Sequence, residues 1–139
     1  MQLYSTPISP YSARCRIQIA HKQLPVEIVA PPGGMRSEAV LAVNPTGRIP
    51  VLVTDQACLA ESWAIMEFLE STFPSPAMRP DDAFASARQT EIVRFADQYL
   101  APAMFPLFKA LRGAGSDEEI KAAVDGLQAQ MSLIEKMLP

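Results

Sequence analysis

A proline-rich segment divides the chain into two halves of different character. Residues 74–82 contain three prolines, and proline removes a backbone donor and breaks helices. Before this segment, short β-branched runs alternate with helical stretches, whereas every periodic stretch after it has helical spacing. A length of 139 residues allows one average domain, or a small domain with part of a second. We therefore predict a first domain over 1–76, a linker over 77–82 and a partial domain of two long helices over 83–139.

The first half predicts the element order β-α-β-α-β-β-α. Leu3 and Tyr4 form a short apolar strand, after which Ser9 is a favourable N-cap and Pro10 suits the first helical position, where its missing N–H costs nothing. The later elements are a β-branched strand, a short helix, two strands joined by a hairpin, and a helix ended by proline, at 26–29, 37–43, 49–53, 58–59 and 61–73. This alternation predicts an α/β fold.

The second half predicts helices only. Ser116 and Glu119 form a capping box at the start of the clearest helix, while Pro102 and Pro106 are expected to kink or interrupt the helix before it. Two helices bury little by themselves, so we expect the apolar stripe to pack on the other helix, on the first domain or on another subunit. The stripe alternates steps of four and three residues: Ile120, Val124, Leu127, Met131, Ile134 and Leu138.

Composition excludes several classes of function. Twelve Lys and Arg against fifteen Asp and Glu give a net charge of −3, without the basic patch that nucleic-acid binding requires. No apolar run approaches the roughly 18–20 residues of a membrane span, and the first residues lack a secretion signal, so we expect a cytoplasmic protein. Cys15, Cys58 and the single His21 have no metal-ligand or dithiol spacing, so we expect no metal and two buried cysteines.

Three segments carry a specific resemblance when they are taken together. They are Tyr4–Ser12, Asn44–Leu52 and Glu61–Ile65, which occur in this order at matching places of the predicted pattern. Together they resemble the glutathione transferase family, in its serine-type, bacterial-like form. The resemblance implies a thioredoxin-like first domain and an all-α second domain that is cut short, since the family usually continues with several more helices. Whether the chain is a fragment or a shortened protein that depends on dimerisation stays open.

The resemblance assigns glutathione-binding roles at two places. Pro50 matches the cis-proline of the family, and Ile49 before it would pair with the cysteinyl part of glutathione through its main chain. The alternative is that Pro50 merely begins an edge strand. Ser62 would hold the γ-glutamyl carboxylate at a helix N-terminus, with Glu61 near the ammonium group. The alternative for Ser62 is a plain N-cap with an acidic neighbour.

The resemblance also assigns the reacting end of the ligand. Ser9 matches the catalytic serine that donates a hydrogen bond to the glutathione sulfur, and Ser12, one turn on, is the alternate donor. Ser9 could instead be only an N-cap. Arg36 and Arg48 are the candidates for binding the glycine carboxylate, and the sequence does not choose between them.

These assignments predict an enzyme with glutathione as co-substrate. The predicted function is a glutathione transferase that adds the glutathione thiolate to a small electrophile, acting as a homodimer. Two alternatives stay open: a catalytically weak, transferase-like binding or regulatory protein, and a glutathione-dependent isomerase or dehalogenase. The sequence does not identify the electrophile.

Overall fold

The computed structural model describes residues 1–138 and divides into two compact units, Met1–Arg79 and the chain from Pro80 onward. The first unit has the predicted β-α-β-α-β-β-α order. Its elements are β1 Gln2–Tyr4, α1 Pro10–His21, β2 Glu27–Val29, α2 Glu38–Val43, β3 Val51–Val53, β4 Cys58–Ala60 and α3 Ser62–Thr72. The four strands lie in the order β2-β1-β3-β4, with β1 and β2 parallel and the other pairs antiparallel. The thioredoxin-like α/β architecture is therefore confirmed.

Strand register brings four chain segments to one edge of this sheet. Tyr4, the last residue of β1, lies opposite Val29, the last of β2, and opposite Val51, the first of β3. Val51 also lies opposite Ala60, the last residue of β4. The segments that follow β1, β2 and β4, and the segment that precedes β3, therefore meet at the same edge.

The core of the first unit lies between the sheet and the helices α1 and α3. Cys15 is fully buried in it, as predicted, but Cys58 is exposed on the edge strand β4, so the expectation of two buried cysteines is wrong for Cys58. Side chains alternate across a strand, and Leu59 is the β4 residue that packs against the core. The core residues are Leu3, Cys15, Ile19, Val26, Leu52, Ile65 and Leu69.

Every regular element in the described part of the second unit is helical. Its elements are α4 Ala83–Phe95, a π-helical segment Ala96–Leu100, α5 Ala101–Ala110 and α6 Asp117–Met137. The expected interruption at Pro102 takes the form of the π-helical turn directly before α5, whereas α5 continues through Pro106 and is not interrupted there. A wider turn is a known response of a helix to a group that cannot join the i→i−4 ladder.

The capping box and the apolar stripe of α6 are both present. Ser116 and Glu119 exchange hydrogen bonds with each other's backbone N–H, at 3.2 and 2.9 Å. Among the described residues of α6 none is buried, and Val124, Met131 and Leu138 of the stripe are exposed. The domain limits expected around the proline segment stay a prediction. In residues 1–138, no helix combines the length and the apolar character that crossing a membrane would require.

Candidate functional site

Ser9 lies at the N-terminus of α1, on the segment that follows β1. Its Oγ accepts a hydrogen bond from the Ser12 N–H at 3.2 Å, and Pro10 occupies the first turn, so the predicted cap is present. A hydroxyl has one donor proton as well as two acceptor lone pairs. Within residues 1–138 the Ser9 proton is donated to no other group. Ser9 therefore combines a cap with an unused donor beside the positive end of a helix.

Ser12 is placed differently from Ser9. The residue is fully buried in the first unit, and its Oγ has no hydrogen-bond partner among the described residues. A hydroxyl without exposed surface has no contact with a ligand in this conformation. The geometry therefore favours Ser9 over Ser12 as the donor.

Cys15 does not compete with these hydroxyls as a reactive group. Burial raises the pKa of its thiol to about 12, although Arg14 and Arg16 act in the opposite direction. Its Sγ lies 3.5 Å from the Ser62 main-chain oxygen. Since the thiolate is the reactive form of cysteine, Cys15 is a structural residue.

Glu61 and Ser62 stand at the start of α3, on the segment that follows β4. The N-cap is Glu61, whose φ of +67° is unusual for a residue with a side chain, and its side chain makes no capping hydrogen bond. Such backbone conformations cost on the order of 1–3 kcal/mol and concentrate at functional sites. Ser62 is the first helical residue, so its alternative interpretation as the N-cap is wrong.

Arg14 organises the Ser62 hydroxyl. Its Nε and Nη2 both donate to Ser62 Oγ, at 2.9 and 2.6 Å, and its guanidinium lies 5.4 Å from the centre of the Tyr11 ring. The two donors occupy both lone pairs of the hydroxyl, which leaves its proton to point at another acceptor. Arg14 was not predicted as a site residue, because its partner is 48 residues away and no local motif marks the pair.

Ile49 and Pro50 directly precede β3. The Ile49–Pro50 bond is cis, as predicted. Because β3 lies between β1 and β4, Pro50 does not begin an edge strand, and that alternative is wrong. Among residues 1–138 neither the N–H nor the C=O of Ile49 has a hydrogen-bond partner. This residue therefore offers one main-chain donor and one acceptor to a peptide-like ligand.

Two neighbouring turns present Arg36 and Arg48 from adjacent backbone. The Arg36 N–H donates to the Gly47 oxygen at 3.0 Å, and both arginines are exposed. Gly47 has a φ of +66°, and a Cβ there would lie 2.9 Å from Arg36 Cγ and 3.1 Å from Arg36 Cα. Glycine thus permits the close approach of the two turns. The structure therefore places the backbones of Arg36 and Arg48 near each other and does not choose between the two residues.

Two further side chains hold the loops of the site. Arg16 donates to Ser5 Oγ at 2.7 Å, to the Thr6 oxygen at 2.8 Å and to the Pro7 oxygen at 3.1 Å, which fixes the loop before α1. Asn44 donates to the Arg48 oxygen at 2.9 Å, which fixes the turn before Ile49. Neither role was predicted from the sequence.

Comparison with known proteins gives consistent similarities. A family model described as the N-terminal domain of glutathione S-transferase matches residues 3–77. Maleylacetoacetate isomerase of Pseudomonas aeruginosa is 35% identical over 126 residues, which are 86% of this chain and 59% of that protein. Glutathione S-transferase U13 of Arabidopsis thaliana is 31% identical over 132 residues, which are 92% of this chain and 56% of that protein.

A solved structure extends the similarity to the fold. It is a maleyl pyruvate isomerase described as a bacterial glutathione S-transferase of the zeta class, with a TM-score of 0.77 and 27% identity, covering 96% of this chain and 65% of that chain. The chain thus spans between 56% and 65% of the length of these three relatives.

Proposed function

The chain belongs to the glutathione S-transferase family, and on that premise we propose that it binds glutathione at the sheet edge where β1, β3 and β4 meet. The observation that carries this proposal is a set of unused hydrogen-bonding groups at that edge. They are the main-chain N–H and C=O of Ile49, the hydroxyl proton of Ser62 and the hydroxyl proton of Ser9.

Each group suits one part of glutathione. The Ile49 main chain pairs with the cysteinyl part, as a strand does with its neighbour. The Ser62 hydroxyl and the N–H groups at the start of α3 hold the γ-glutamyl carboxylate, and Glu61 lies next to that position to attract the ammonium group. Arg36 or Arg48 binds the glycine carboxylate.

Ser9 acts on the sulfur. A free thiol with a pKa near 8.5 is mostly protonated at neutral pH, and a hydroxyl that donates to the sulfur favours the thiolate. In the proposed reaction the thiol proton goes to solvent. The sulfur electron pair then forms a bond to the electrophilic carbon, and the leaving group departs with its own pair. Ser12, a fully buried residue in the first turn of α1, is the less favoured donor.

A glutathione-dependent isomerisation is the second candidate. It is favoured by the similarity to two proteins named as isomerases, one of Pseudomonas aeruginosa and one of the zeta class. Such a reaction uses the same thiolate but returns glutathione unchanged. A transferase-like binding or regulatory protein is the third candidate, and it would bind glutathione without turnover.

We further propose that the protein is cytoplasmic and acts as a homodimer. The apolar stripe of α6 supports the dimer, since Val124, Met131 and Leu138 are exposed in a single chain and apolar patches of this kind mark interaction surfaces.

Calorimetric titration with glutathione, combined with conjugation and isomerase assays, tests the proposal. Ser62→Ala should weaken glutathione binding by about 1–3 kcal/mol, the usual loss for a hydrogen bond to a charged group. Ser71→Ala is the matched control, because Ser71 is exposed on the same helix and should leave the affinity unchanged. If Ser62→Ala and the parent chain bind glutathione with equal affinity, the proposed site is wrong. Binding without turnover in either assay would select the binding protein.

A further inference from the structure

A regular set of polar contacts joins α1 to α3. Three side chains, two on α1 and one at its C-cap, are spaced four residues apart, and each contacts the α3 residue that lies 48 positions later in the chain. The constant offset shows that the two helices run parallel and in register, since equal steps along both keep the partners aligned. We call this set the polar ladder, and its contacts are Arg14–Ser62 at 2.9 Å, Gln18–Met66 oxygen at 3.0 Å and Lys22–Glu70 at 2.9 Å.

The C-terminal half of the polar ladder is buried. The solvent-exposed fraction is 2% for Gln18, 6% for Lys22 and 8% for Glu70. The Lys22 ammonium also donates to the main-chain oxygens of Phe73 and Pro76, so its three donors have three acceptors. Gln18 Nε2 also lies 3.3 Å from Glu70 Oε2. Gln18 and Lys22 therefore share the Glu70 carboxylate as an acceptor.

The apolar part of the α1–α3 interface selects the register less specifically than paired polar groups do. Cys15 and Ile19 of α1 share the core with Ile65 and Leu69 of α3, and apolar burial is non-directional. Packed helices can exchange one register for another by sliding a full turn, about 5.4 Å. A shift of that size would separate the buried Lys22 ammonium from the buried Glu70 carboxylate. Both charges would then be unpaired, which is strongly unfavourable.

Ser9 and Ser62 stand at the N-terminal ends of these two helices, so their spacing depends on the register. We propose that Gln18 and Lys22 are positioning residues, which hold α1 and α3 in the one register that places both serines on a single glutathione. The ligand in this statement rests on the proposed function. We place neither residue in contact with the ligand, because Gln18 and Lys22 lie 9 and 13 residues after Ser9, helical distances of about 14 and about 20 Å.

Replacing the charge pair by an apolar pair separates register from stability. Lys22→Met alone should lower stability, because it leaves the buried Glu70 carboxylate unpaired. Lys22→Met with Glu70→Met should recover only the part of that loss that comes from the unpaired charge, because the Phe73 and Pro76 oxygens and the Met78 and Arg79 N–H groups also lose a partner. If the polar ladder positions the site, the double variant should still bind glutathione about tenfold more weakly and show a raised thiol pKa of the bound ligand. Gln18→Leu should act in the same direction.

A core variant outside the polar ladder provides the control. Val26→Ala lies in the core of the first unit, before β2, and should lower stability while leaving glutathione affinity unchanged. If the double variant instead binds glutathione with the affinity of the parent chain, the polar ladder is only structural and the proposal is overturned.

A second measurement does not need the ligand. Spin labels at Ala20 of α1 and Ala64 of α3, both exposed, are attached in a Cys58→Ser background so that only the introduced cysteines react. The parent chain should give one narrow distance, and the double variant a broadened or shifted one. An unchanged narrow distance would overturn the role in register. If the parent chain fails to bind glutathione, the proposed function falls, and the spin-label distance still decides whether the polar ladder sets the register.

Discussion

Replacing Ser9 by glycine and by alanine separates the two roles that its hydroxyl can play. The Oγ accepts the Ser12 N–H at 3.2 Å, which is long for a hydrogen bond of this type. Replacing a capping serine by alanine costs about 0.5–2 kcal/mol of stability, whereas replacing it by glycine costs only a few tenths of a kcal/mol. Given the long contact, we expect Ser9→Ala to cost about 1 kcal/mol of folding free energy and Ser9→Gly clearly less.

The effect on the pKa of the bound glutathione thiol should be the same in both variants, and larger in free energy than the loss of stability. A hydrogen bond to a charged group contributes about 1.5–3 kcal/mol, which corresponds to a shift of about one to two pKa units in the bound thiol. If the Ser9 hydrogen bond lowers the thiol pKa from about 8.5 to about 7, losing it lowers the thiolate fraction at pH 6.5 by about twentyfold. Turnover limited by thiolate concentration should fall by a similar factor at that pH and recover at high pH.

Three measurements check this reasoning. Denaturant unfolding gives the loss of stability, thiolate absorbance of the bound ligand against pH gives the thiol pKa, and the pH dependence of kcat/KM gives the kinetic effect. The expected result is a Ser9→Gly variant that is nearly as stable as the parent chain but has lost the thiolate signal near neutral pH. A glycine variant that keeps both the signal and the rate would show that Ser9 is only a cap.

Three further predictions follow from other parts of the first unit. Gly47→Ala should destabilise the protein by about 1–2 kcal/mol in denaturant unfolding, because the left-handed backbone disfavours a side chain and the new Cβ would press on Arg36; an unchanged midpoint would contradict this. A thiol reagent should modify the exposed Cys58 and leave Cys15 unmodified until the protein unfolds, as mass spectrometry can show, because burial raises the pKa of Cys15 to about 12. Burial acts to raise the pKa of Glu70, but hydrogen bonds from its lysine partner and from two backbone N–H groups hold it below the usual value. The ionised carboxylate thus stabilises the fold above a pH of about 4.3, and this contribution is lost as the pH falls through the lowered pKa; Glu70→Gln should flatten the acid side of the stability–pH curve, and an unaltered curve would refute the role.

Local signals determined the features that the sequence analysis predicted correctly. Ser9 before Pro10, and Ser116 three residues before Glu119, mark helix starts through contacts between near neighbours. Alternating apolar positions gave the order of strands and helices for the same reason, since the side chains of an element face the core at its own period. The cis bond before Pro50 was expected only because several motifs resembled one family in order and spacing.

Tertiary packing decided the features that no short stretch of sequence contains. The burial of Ser12 and the exposure of Cys58 depend on which face of an element meets the core, and one-residue shifts reverse that choice in a strand. The positive φ of Glu61 arises where the chain turns from an edge strand into α3.

The polar ladder is the clearest example of a feature that only tertiary packing decides. In the sequence, Arg14, Gln18 and Lys22 resemble the solvent-exposed polar face of an ordinary helix, and their partners lie 48 positions away. Only the packing of α1 beside α3 turns these side chains inward and gives each one an acceptor. Hydrogen bonds require partners within a few tenths of an ångström of a fixed distance, and the folded chain supplies that precision by bringing remote residues together.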